Sequence, residues 1–312
     1  MSLRNGSDSV DVAGDGGFTF AARVQRGSSY AVTAQSPFWT DCVVSQGSGT
    51  ASADVTTVAV ACMPITSVTA TTFGSGFNAP ASAIEDAGGN VYVADYGNNL
   101  VKRVAADGVT VTPWGSGFDG PTDLALDSNG YVYVTDVNHN LVKRIAPDGV
   151  TVTTVGSGFN YPLSVAVDAS DNIYVTDTYN NVVKKIAPDG VTMTVIGSGF
   201  NLPSSVAVDR NGNVYVVDYG HHVVTKIAVD GVTVTTIYSG TTPNGVAVDK
   251  YGNVYVVDWS DTTLKKITPD GAFTTMLNTG FSHPNDVSVD AEGNLYVADW
   301  TGNVVKKLTP AP

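Results

Sequence analysis

Short runs of β-branched and aromatic residues alternate with turn residues over most of the chain, with a new run about every ten positions. In residues 162–196 the runs are PLSVAVD, NIYVTD, VVKKIA and VTMTVI, separated by turn or loop segments. This pattern predicts four short strands and no helix. The run Val214–Val217 is apolar at successive positions, which is typical of a strand covered on both faces. We therefore expect the core to lie between neighbouring sheets.

The four-strand pattern recurs as six units, each opened by a proline, at intervals of 41, 41, 41, 40 and 41 residues. Units of this length are typical of propeller blades. The sixth unit ends at LTPAP after its third strand, whereas ITSVTATTFGSGF before the first unit matches the fourth strand of other units. We therefore predict an all-β fold, a six-bladed β-propeller over residues 63–312, in which residues 65–73 complete the last blade and remove its open edge. The opening residues are Pro80, Pro121, Pro162, Pro203, Pro243 and Pro284.

Aspartates recur at three turn positions of the units. The Asp-Gly pairs after the third strand predict two-residue hairpins: Asp107-Gly108, Asp148-Gly149, Asp189-Gly190, Asp230-Gly231 and Asp270-Gly271. The aspartates that end the second strand are expected to accept backbone N–H bonds in the following loop: Asp95, Asp136, Asp177, Asp218, Asp258 and Asp299. A third set, after the first strand, has the same predicted role: Asp86, Asp127, Asp168, Asp209, Asp249 and Asp290. The alternative is a carboxylate ring that binds a cation in the channel; no other cofactor is predicted.

The units resemble NHL repeats, because PxxVAVDxxGNVYVxDxxNNxVxK stands almost intact in several of them. The resemblance covers residues 63–312. It points to bacterial NHL propellers, among them extracellular sensor domains of receptor kinases, and to the related streptogramin lyases. It implies the propeller fold and leaves the function open, since propellers serve as binding modules, scaffolds and enzymes.

Residues 1–62 lack the repeated unit and are rich in Ser, Gly, Ala, Thr and Val. The alternation in SYAVTA and VTTVAVA predicts strands, and the text resembles a small β-sandwich module of large bacterial surface proteins. The start MSLRNG suggests a truncated module with an expression scar. Cys42 and Cys62, the only cysteines, fall on two predicted strands of this module. We expect a disulfide between them, with two buried thiols as the alternative.

Composition and charge indicate which partners the chain is not expected to bind and where it is expected to be located. The formal net charge is −13, with 29 acidic and 16 basic residues, which argues against nucleic-acid binding. No apolar run approaches the roughly 18 residues of a membrane span, and the Gly, Ser, Thr and Asn content favours a secreted or surface-exposed bacterial protein. We expect a monomer. Basic pairs recur in five of the six units and are predicted to be solvated edges facing nearby acids: Lys102-Arg103, Lys143-Arg144, Lys184-Lys185, Lys265-Lys266 and Lys306-Lys307.

Positions that vary between units predict the binding site. The loops from fourth to first strand and from second to third strand share one face of a propeller, and four units place an aromatic residue directly after the second strand. Aromatic plates beside carboxylates and amides suit a sugar, a peptide or a cationic group. The alternative is that the rings only cap the seams between blades. The candidate ligand-binding residues are Tyr96, Asp123, Tyr161, Tyr219, Asn244, Trp259, His283, Asn285, Asp286 and Trp300.

Histidines at the second-to-third-strand loops raise an enzymatic alternative. The resemblance to streptogramin lyases would imply histidines and a glutamate around a magnesium ion at the channel mouth. His139 and His221 are the weak metal-ligand candidates, but Glu292 is predicted in a turn on the opposite face and Glu85 within a first strand. We therefore expect a non-catalytic propeller that binds a protein, peptide or carbohydrate on the aromatic loop face. A metal-assisted lyase and a structural spacer remain as alternatives.

Overall fold

The computed structural model describes residues 2–11, 17–35, 40–53, 55–64, 68–269, 271, 274–277 and 280–310. Met1 of the MSL segment, residues 65–67 of the predicted closing strand, and Asp270 lie outside the described residues. The chain divides into two compact units, Met1–Ser67 with Pro310–Pro312, and Val68–Thr309. In the part of the chain that is described, no helix is long and apolar enough to cross a membrane.

The first unit contains a four-stranded and a two-stranded sheet. The four-stranded sheet has the order β2, β1, β3, β5, formed by β1 (Ser2–Asn5), β2 (Asp8–Asp11), β3 (Ser29–Gln35) and β5 (Ser48–Thr50). In the other sheet β4 (Thr40–Ser45) pairs antiparallel with β6 (Ala59–Pro64), and Cys42 lies directly opposite Cys62. The two sulfurs are bonded at 2.06 Å, which confirms the predicted disulfide.

The second unit contains six four-stranded antiparallel sheets, called sheets 1–6 in chain order. The first strands are β8 (Pro80–Glu85), β12 (Pro121–Leu126), β16 (Pro162–Val167), β20 (Pro203–Val208), β24 (Pro243–Val248) and β28 (Pro284–Val289). The second strands are β9 (Val91–Asp95), β13 (Val132–Asp136), β17 (Ile173–Asp177), β21 (Val214–Asp218), β25 (Val254–Asp258) and β29 (Leu295–Asp299). The third strands are β10 (Leu100–Val104), β14 (Leu141–Ile145), β18 (Val182–Ile186), β22 (Val223–Ile227), β26 (Thr263–Ile267) and β30 (Val304–Pro310). The fourth strands of sheets 1–5 are β11 (Val111–Pro113), β15 (Val152–Val155), β19 (Met193–Ile196), β23 (Val234–Ser239) and β27 (Thr274–Leu277).

The sheets follow one another around a closed ring. Each first strand contacts the first strands of the two neighbouring sheets, and β28 of sheet 6 contacts β8 of sheet 1. The fourth strand of sheet 6 is β7 (Val68–Thr72), which precedes sheet 1 in the chain and lies beside β30. The Phe73 N–H extends this pairing by donating to the Val305 carbonyl at 2.8 Å. The predicted all-β propeller, closed by an N-terminal strand, is therefore the observed fold.

The core lies between sheets, as the apolar second strands predict. Every residue of the six second strands is buried. Side chains of neighbouring sheets form shared clusters, such as Tyr174 of sheet 3 with Val206 and Val216 of sheet 4. Because both faces of each second strand are covered in this way, stability of the ring rests on contacts between sheets rather than within one sheet.

The prediction of two-residue hairpins is wrong in the described Asp-Gly turns. In sheet 1 the third strand ends at Val104 and the fourth begins at Val111, and the Ala105 N–H bonds the Thr110 carbonyl at 2.8 Å across a four-residue loop. Only the glycine has positive φ, +71° at Gly108. The carboxylate of Asp107 instead accepts the N–H groups of the two residues after that glycine, both at 2.8 Å. The turn is thus a longer loop that is held by the aspartate side chain.

Candidate functional site

The aspartates that end the second strands are buried and reach back to the preceding loop. Asp95 Oδ1 accepts the Asn78 N–H at 2.7 Å, and Asp136, Asp177 and Asp218 do the same in sheets 2–4. The prediction that these carboxylates accept backbone N–H bonds from the following loop is therefore wrong for sheets 1–4, where side chains of that loop bond Oδ2 instead. In sheets 5 and 6 both loops donate backbone N–H groups to the carboxylate.

The aspartates after the first strands are turn residues, as predicted. Asp168 Oδ1 accepts the N–H groups of Ser170 and Asn172 at 2.8 and 2.9 Å, and Oδ2 accepts the Tyr174 hydroxyl at 2.9 Å. The same N–H bond from the residue four positions on recurs in all six sheets. These carboxylates are used by the fold, so the channel alternative gains no support from them.

The first lysine of each basic pair in sheets 1, 2, 3 and 6 forms an ion pair with the aspartate that ends the second strand. Lys102 Nζ lies 2.6 Å from Asp95 Oδ2, donates to the Gly76 carbonyl at 2.6 Å and stands 5.5 Å from the centre of the Phe77 ring. Sheets 2, 3 and 6 repeat the ion pair, the carbonyl and the ring. These lysine side chains are only 14–19% exposed, so the prediction of solvated edges is wrong for them.

A cavity of about 280 Å³ opens on the predicted loop face. Its wall includes Tyr96 and Trp300 from the loops after second strands, and Tyr161 from a loop before a first strand. The Tyr161 backbone has φ +58°, and its N–H donates to Asn140 Oδ1 of the neighbouring sheet at 2.7 Å, which fixes the loop. Seven of the ten predicted ligand-binding residues line this cavity: Tyr96, Asp123, Tyr161, Asn244, Asn285, Asp286 and Trp300.

Aromatic rings of sheets 5, 6 and 1 form a continuous row beside the cavity. The ring centres of Tyr96 and Trp300 are 4.8 Å apart, those of Trp300 and Trp259 are 6.4 Å apart, and His283 lies 5.1 Å from Trp259. Trp259 and His283 therefore adjoin the cavity wall without being part of it. Tyr219 is also absent from the lining residues.

The predicted amide ligands are used at the seams between sheets. Asn244 Nδ2 donates to the Asn285 carbonyl of sheet 6 at 2.7 Å, and Asn285 Nδ2 donates to the Ala81 carbonyl of sheet 1 at the same distance. Thr122 makes the equivalent bond from sheet 2 to the Leu163 carbonyl of sheet 3 at 2.8 Å. Residues after the opening proline thus connect neighbouring first strands, a role that sequence reasoning missed. The repeat offers the signal, because this position is polar in four of the six units.

Asp123 and Asp286 form a carboxyl pair at the base of the cavity. Both are the third residue of a first strand, where the other sheets have serine or glycine. Asp123 accepts the Ser164 hydroxyl at 2.5 Å and the Val165 N–H at 2.9 Å. Burial raises the pKa of Asp123, and burial together with the nearby Asp123 carboxylate raises the pKa of Asp286 well above its ordinary value. Two hydrogen-bonded carboxyls of this kind retain one shared proton more readily than isolated ones.

The same pair also borders a second cavity. This cavity, of about 250 Å³, is lined by the later residues of the first strands, from Ile84 of sheet 1 to Val289 of sheet 6. Asp123, Ser205 and Asp286 line both cavities. The carboxyl pair thus stands between the mouth and the apolar part of the channel.

The histidine and glutamate candidates lie apart from the cavity. His139 and His221 belong to single-turn 3-10 helices, and their Nδ1 atoms bond Asp136 and Asp218 of their own sheets at 2.9 and 2.8 Å. Neither lines either cavity. Glu85 and Glu292 come together with Asp290 near the opposite end of the first strands, with their oxygens within 4.8 Å of one another. The residues at the mouth therefore do not fit the histidine–glutamate magnesium site that the lyase resemblance implies.

The chain is a β-propeller with a cavity on its loop face, and comparison with known proteins gives its family. Residues 53–307 match the model of the virginiamycin B lyase family, and the chain belongs to that family. No curated protein sequence is significantly similar to the chain.

Solved structures share the fold at low identity. A catalytically inactive histidine-to-alanine variant of virginiamycin B lyase from Staphylococcus aureus, with quinupristin, is 16% identical with a TM-score of 0.60, over 78% of this chain and 88% of that one. A gluconolactonase from Xanthomonas campestris is 17% identical with a TM-score of 0.69, over 80% and 91%. An auxiliary nutrient-binding protein from Bacteroides ovatus is 14% identical with a TM-score of 0.65, over 78% and 77%. The fold is thus shared by enzymes and by a binding protein.

Proposed function

We propose that this propeller is a non-catalytic binding domain that takes a small, positively charged organic ligand in the mouth cavity. The observation that carries the proposal is the combination of an aromatic wall with a carboxyl pair in one cavity, in which Asp123 is buried and Asp286 is half-buried. Aromatic faces attract cations, and they do so more strongly where water is excluded. The proposal narrows the carbohydrate, peptide or protein ligands expected from sequence to those that carry a cationic group.

Charge in the cavity supports a cation over a neutral ligand. The titratable lining residues are Tyr96, Asp123, Tyr161 and Asp286, and no lysine, arginine or histidine is among the residues that line it. A carboxyl pair with one shared proton keeps one negative charge in a largely buried place, which is costly without a partner. A ligand ammonium group above the pair supplies that partner and displaces the shared proton.

Family membership favours a second candidate, a lyase that acts on streptogramins such as quinupristin. His283 lies beside Trp259 in the aromatic row, and its Nδ1 is hydrogen-bonded to Thr301 Oγ1 at 2.7 Å. The glutamates lie elsewhere, as described above. Incubation with quinupristin and magnesium, followed by mass spectrometry, tests this candidate: conversion of quinupristin that is lost in His283→Ala would establish the lyase and refute a purely binding role.

We also propose that the parent protein is bacterial and extracytoplasmic, and that its propeller units are of the NHL type. The Cys42–Cys62 disulfide supports this location, because such bonds persist in oxidising compartments. The first unit remains, as a proposal, a small surface module ahead of a monomeric propeller. Size-exclusion chromatography with light scattering tests the monomer.

Choline and its neutral isostere 3,3-dimethylbutan-1-ol provide a matched pair of probes. We expect choline to quench tryptophan fluorescence and the alcohol to bind at least about tenfold more weakly. Trp300→Ala and Asp286→Asn should abolish the choline response. Tyr219→Ala is the matched control, since Tyr219 holds the same repeat position as Tyr96 outside the cavity wall. Equal binding of both probes would refute the cationic ligand, and the absence of any response would favour the spacer.

A further inference from the structure

Sheet 4 lacks the lysine that neutralises the buried aspartate in sheets 1, 2, 3 and 6. The third strands carry Lys102, Lys143, Lys184, Lys265 and Lys306 opposite the middle of the second strand, whereas sheet 4 places Thr225 there, opposite Val216. The aspartate is retained: Asp218 is 3% exposed. Sheet 4 therefore retains the buried aspartate of the repeat but has no lysine at the position that faces it.

Three oxygen atoms of sheet 4 belong to the groups that bind the lysine in other sheets or to the residue that replaces it. In sheets 1, 2, 3 and 6 the lysine Nζ bonds a glycine carbonyl of the preceding loop, and the equivalent group in sheet 4 is the Gly199 carbonyl. The second acceptor is Asp218 Oδ2. The third is Thr225 Oγ1, which is buried, in a residue only 5% exposed, and has no hydrogen-bond partner. A buried hydroxyl without a partner is costly and points to an unseen ligand.

The aromatic ring of the lysine site is also retained. Phe200 corresponds to Phe77, Phe118 and Phe159, over whose rings the lysines of sheets 1–3 stand at 5.0–5.5 Å. Phe200 is as buried as those rings. Sheet 4 therefore preserves the whole environment of an ammonium group, namely a carboxylate, a carbonyl and a ring face, and adds a hydroxyl.

His221 does not take the place of the lysine, as sheet 2 shows. There His139 makes the same bond to Asp136 Oδ2, at 2.9 Å, and Lys143 still binds that oxygen at 2.5 Å. The histidine and the ammonium group thus occupy different sides of one carboxylate. In sheet 4 the histidine side is filled by His221 at 2.8 Å and the lysine side offers only oxygens.

We propose that sheet 4 binds a monovalent cation of ammonium size, potassium or ammonium itself, between Asp218 Oδ2, Gly199 O and Thr225 Oγ1. Hard cations prefer such oxygen ligands, and a single positive charge matches the single uncompensated carboxylate. The ion takes the structural role of the lysine and clamps the loop before β20 to sheet 4. This site is independent of the mouth cavity and of its proposed ligand.

Thermal unfolding in matched salts tests the site. At equal ionic strength, KCl and NH₄Cl should raise the melting temperature above that in N-methyl-D-glucamine chloride, by about 2–4 °C and increasingly with ion concentration. Comparison of the melting temperatures in KCl and in NH₄Cl shows whether the site prefers potassium or ammonium. Thr225→Lys restores the lysine of the other sheets, so it should melt higher in glucamine buffer and lose the ion dependence.

Lys143→Thr is the matched gain-of-site variant, because sheet 2 already has the histidine–aspartate pair of sheet 4. It should add a second ion-dependent increment to the melting temperature. Crystals soaked in RbCl should show an anomalous peak between Asp218 and Thr225 that is absent in Thr225→Lys. Identical melting in all three salts together with no rubidium peak would overturn the proposal and leave a water at Thr225.

Discussion

Single aspartates of this propeller have opposite energetic roles that depend on the partners they meet. The carboxylates that end the second strands of sheets 1, 2, 3 and 6 are compensated by lysines, whereas Asp123 and Asp286 lie beside each other and accept bonds from hydroxyl and backbone N–H groups. A compensated buried carboxylate contributes stability, and a pair of like charges costs stability unless one is protonated.

Asp286→Asn should stabilise the protein at neutral pH. The raised pKa of Asp286 means that the folded state holds a proton that the unfolded chain releases near pH 4. Its contribution to stability is therefore full below about pH 4 and is lost as the pH rises through the raised pKa. Asparagine does not ionise, so Asp286→Asn should not lose stability as the pH rises. Its melting temperature at pH 8 should be about 2–4 °C above that of the parent, and should depend less on pH.

Asp148→Asn is the control with the opposite sign. Backbone bonds from Thr151 and Val150 and the Thr151 hydroxyl lower the pKa of this exposed turn aspartate. The ionised Asp148 side chain therefore stabilises the fold above its unfolded pKa, and this stabilisation is lost in acid. Asp148→Asn should be less stable than the parent at neutral pH and equally stable in acid. Parallel pH profiles for the parent and Asp286→Asn would contradict the shared-proton pair.

Lys184→Ala should destabilise sheet 3 far more than an exposed ion pair would. Lys184 Nζ lies 2.7 Å from Asp177 Oδ2, and the Asp177 side chain has no exposed surface. Removing one partner leaves a buried charge, at a cost of about 3 kcal/mol in the free energy of unfolding measured in urea. Adding Asp177→Asn should recover a large part of the loss. If Lys184→Ala lowers the free energy of unfolding by less than about 1 kcal/mol, the Lys184–Asp177 pair contributes no more than a surface salt bridge, and the prediction is wrong.

At the scale of elements, the sequence predicts strands well and their partners less well. Alternation of apolar and turn residues identifies the four strands of every unit, because burial on both faces imposes the pattern locally. The direction in which Asp95 bonds, and the use of Asn244 and Asn285 at seams, depend on chain segments that are brought together only by the closed ring. The pairing of Asp123 with Asp286 likewise requires the first strands of sheets 2 and 6 to converge on the channel. Repetition shows that such positions matter, and the coordinates show to what they bond.

Deletion of residues 65–73 should open the ring at sheet 6. Within the described part of this segment, β7 supplies the fourth strand beside β30, and Phe73 donates to the Val305 carbonyl at 2.8 Å. Its loss exposes the β30 edge, which then templates aggregation. Hydrogen exchange should show unprotected amides in β30 while β18 of sheet 3 stays protected in the soluble fraction. Unchanged protection of β30 would refute closure by this strand.

At the scale of the whole molecule, net charge sets which partners approach the mouth. The formal charge of −13 is spread over a chain with few basic groups, and several lysines are occupied by buried aspartates. Few cations remain to neutralise phosphates, so the expectation that the chain does not bind nucleic acid stays in force. The same field attracts a cationic ligand towards the carboxyl pair and the aromatic row.

Ionic strength should therefore weaken the binding of a cation while sparing its neutral isostere. Raising NaCl from about 20 mM to about 500 mM shortens the screening length to a few ångströms and removes the long-range attraction. Choline titrations should show a severalfold loss of affinity over this range, whereas 3,3-dimethylbutan-1-ol, which has no charge to screen, should bind equally at both salts. Trp300→Ala distinguishes site binding from general screening, because it should give no choline response at either salt concentration. Equal choline affinity at low and high salt would mean that the aromatic wall alone holds the ligand and that the carboxyl pair serves only the channel.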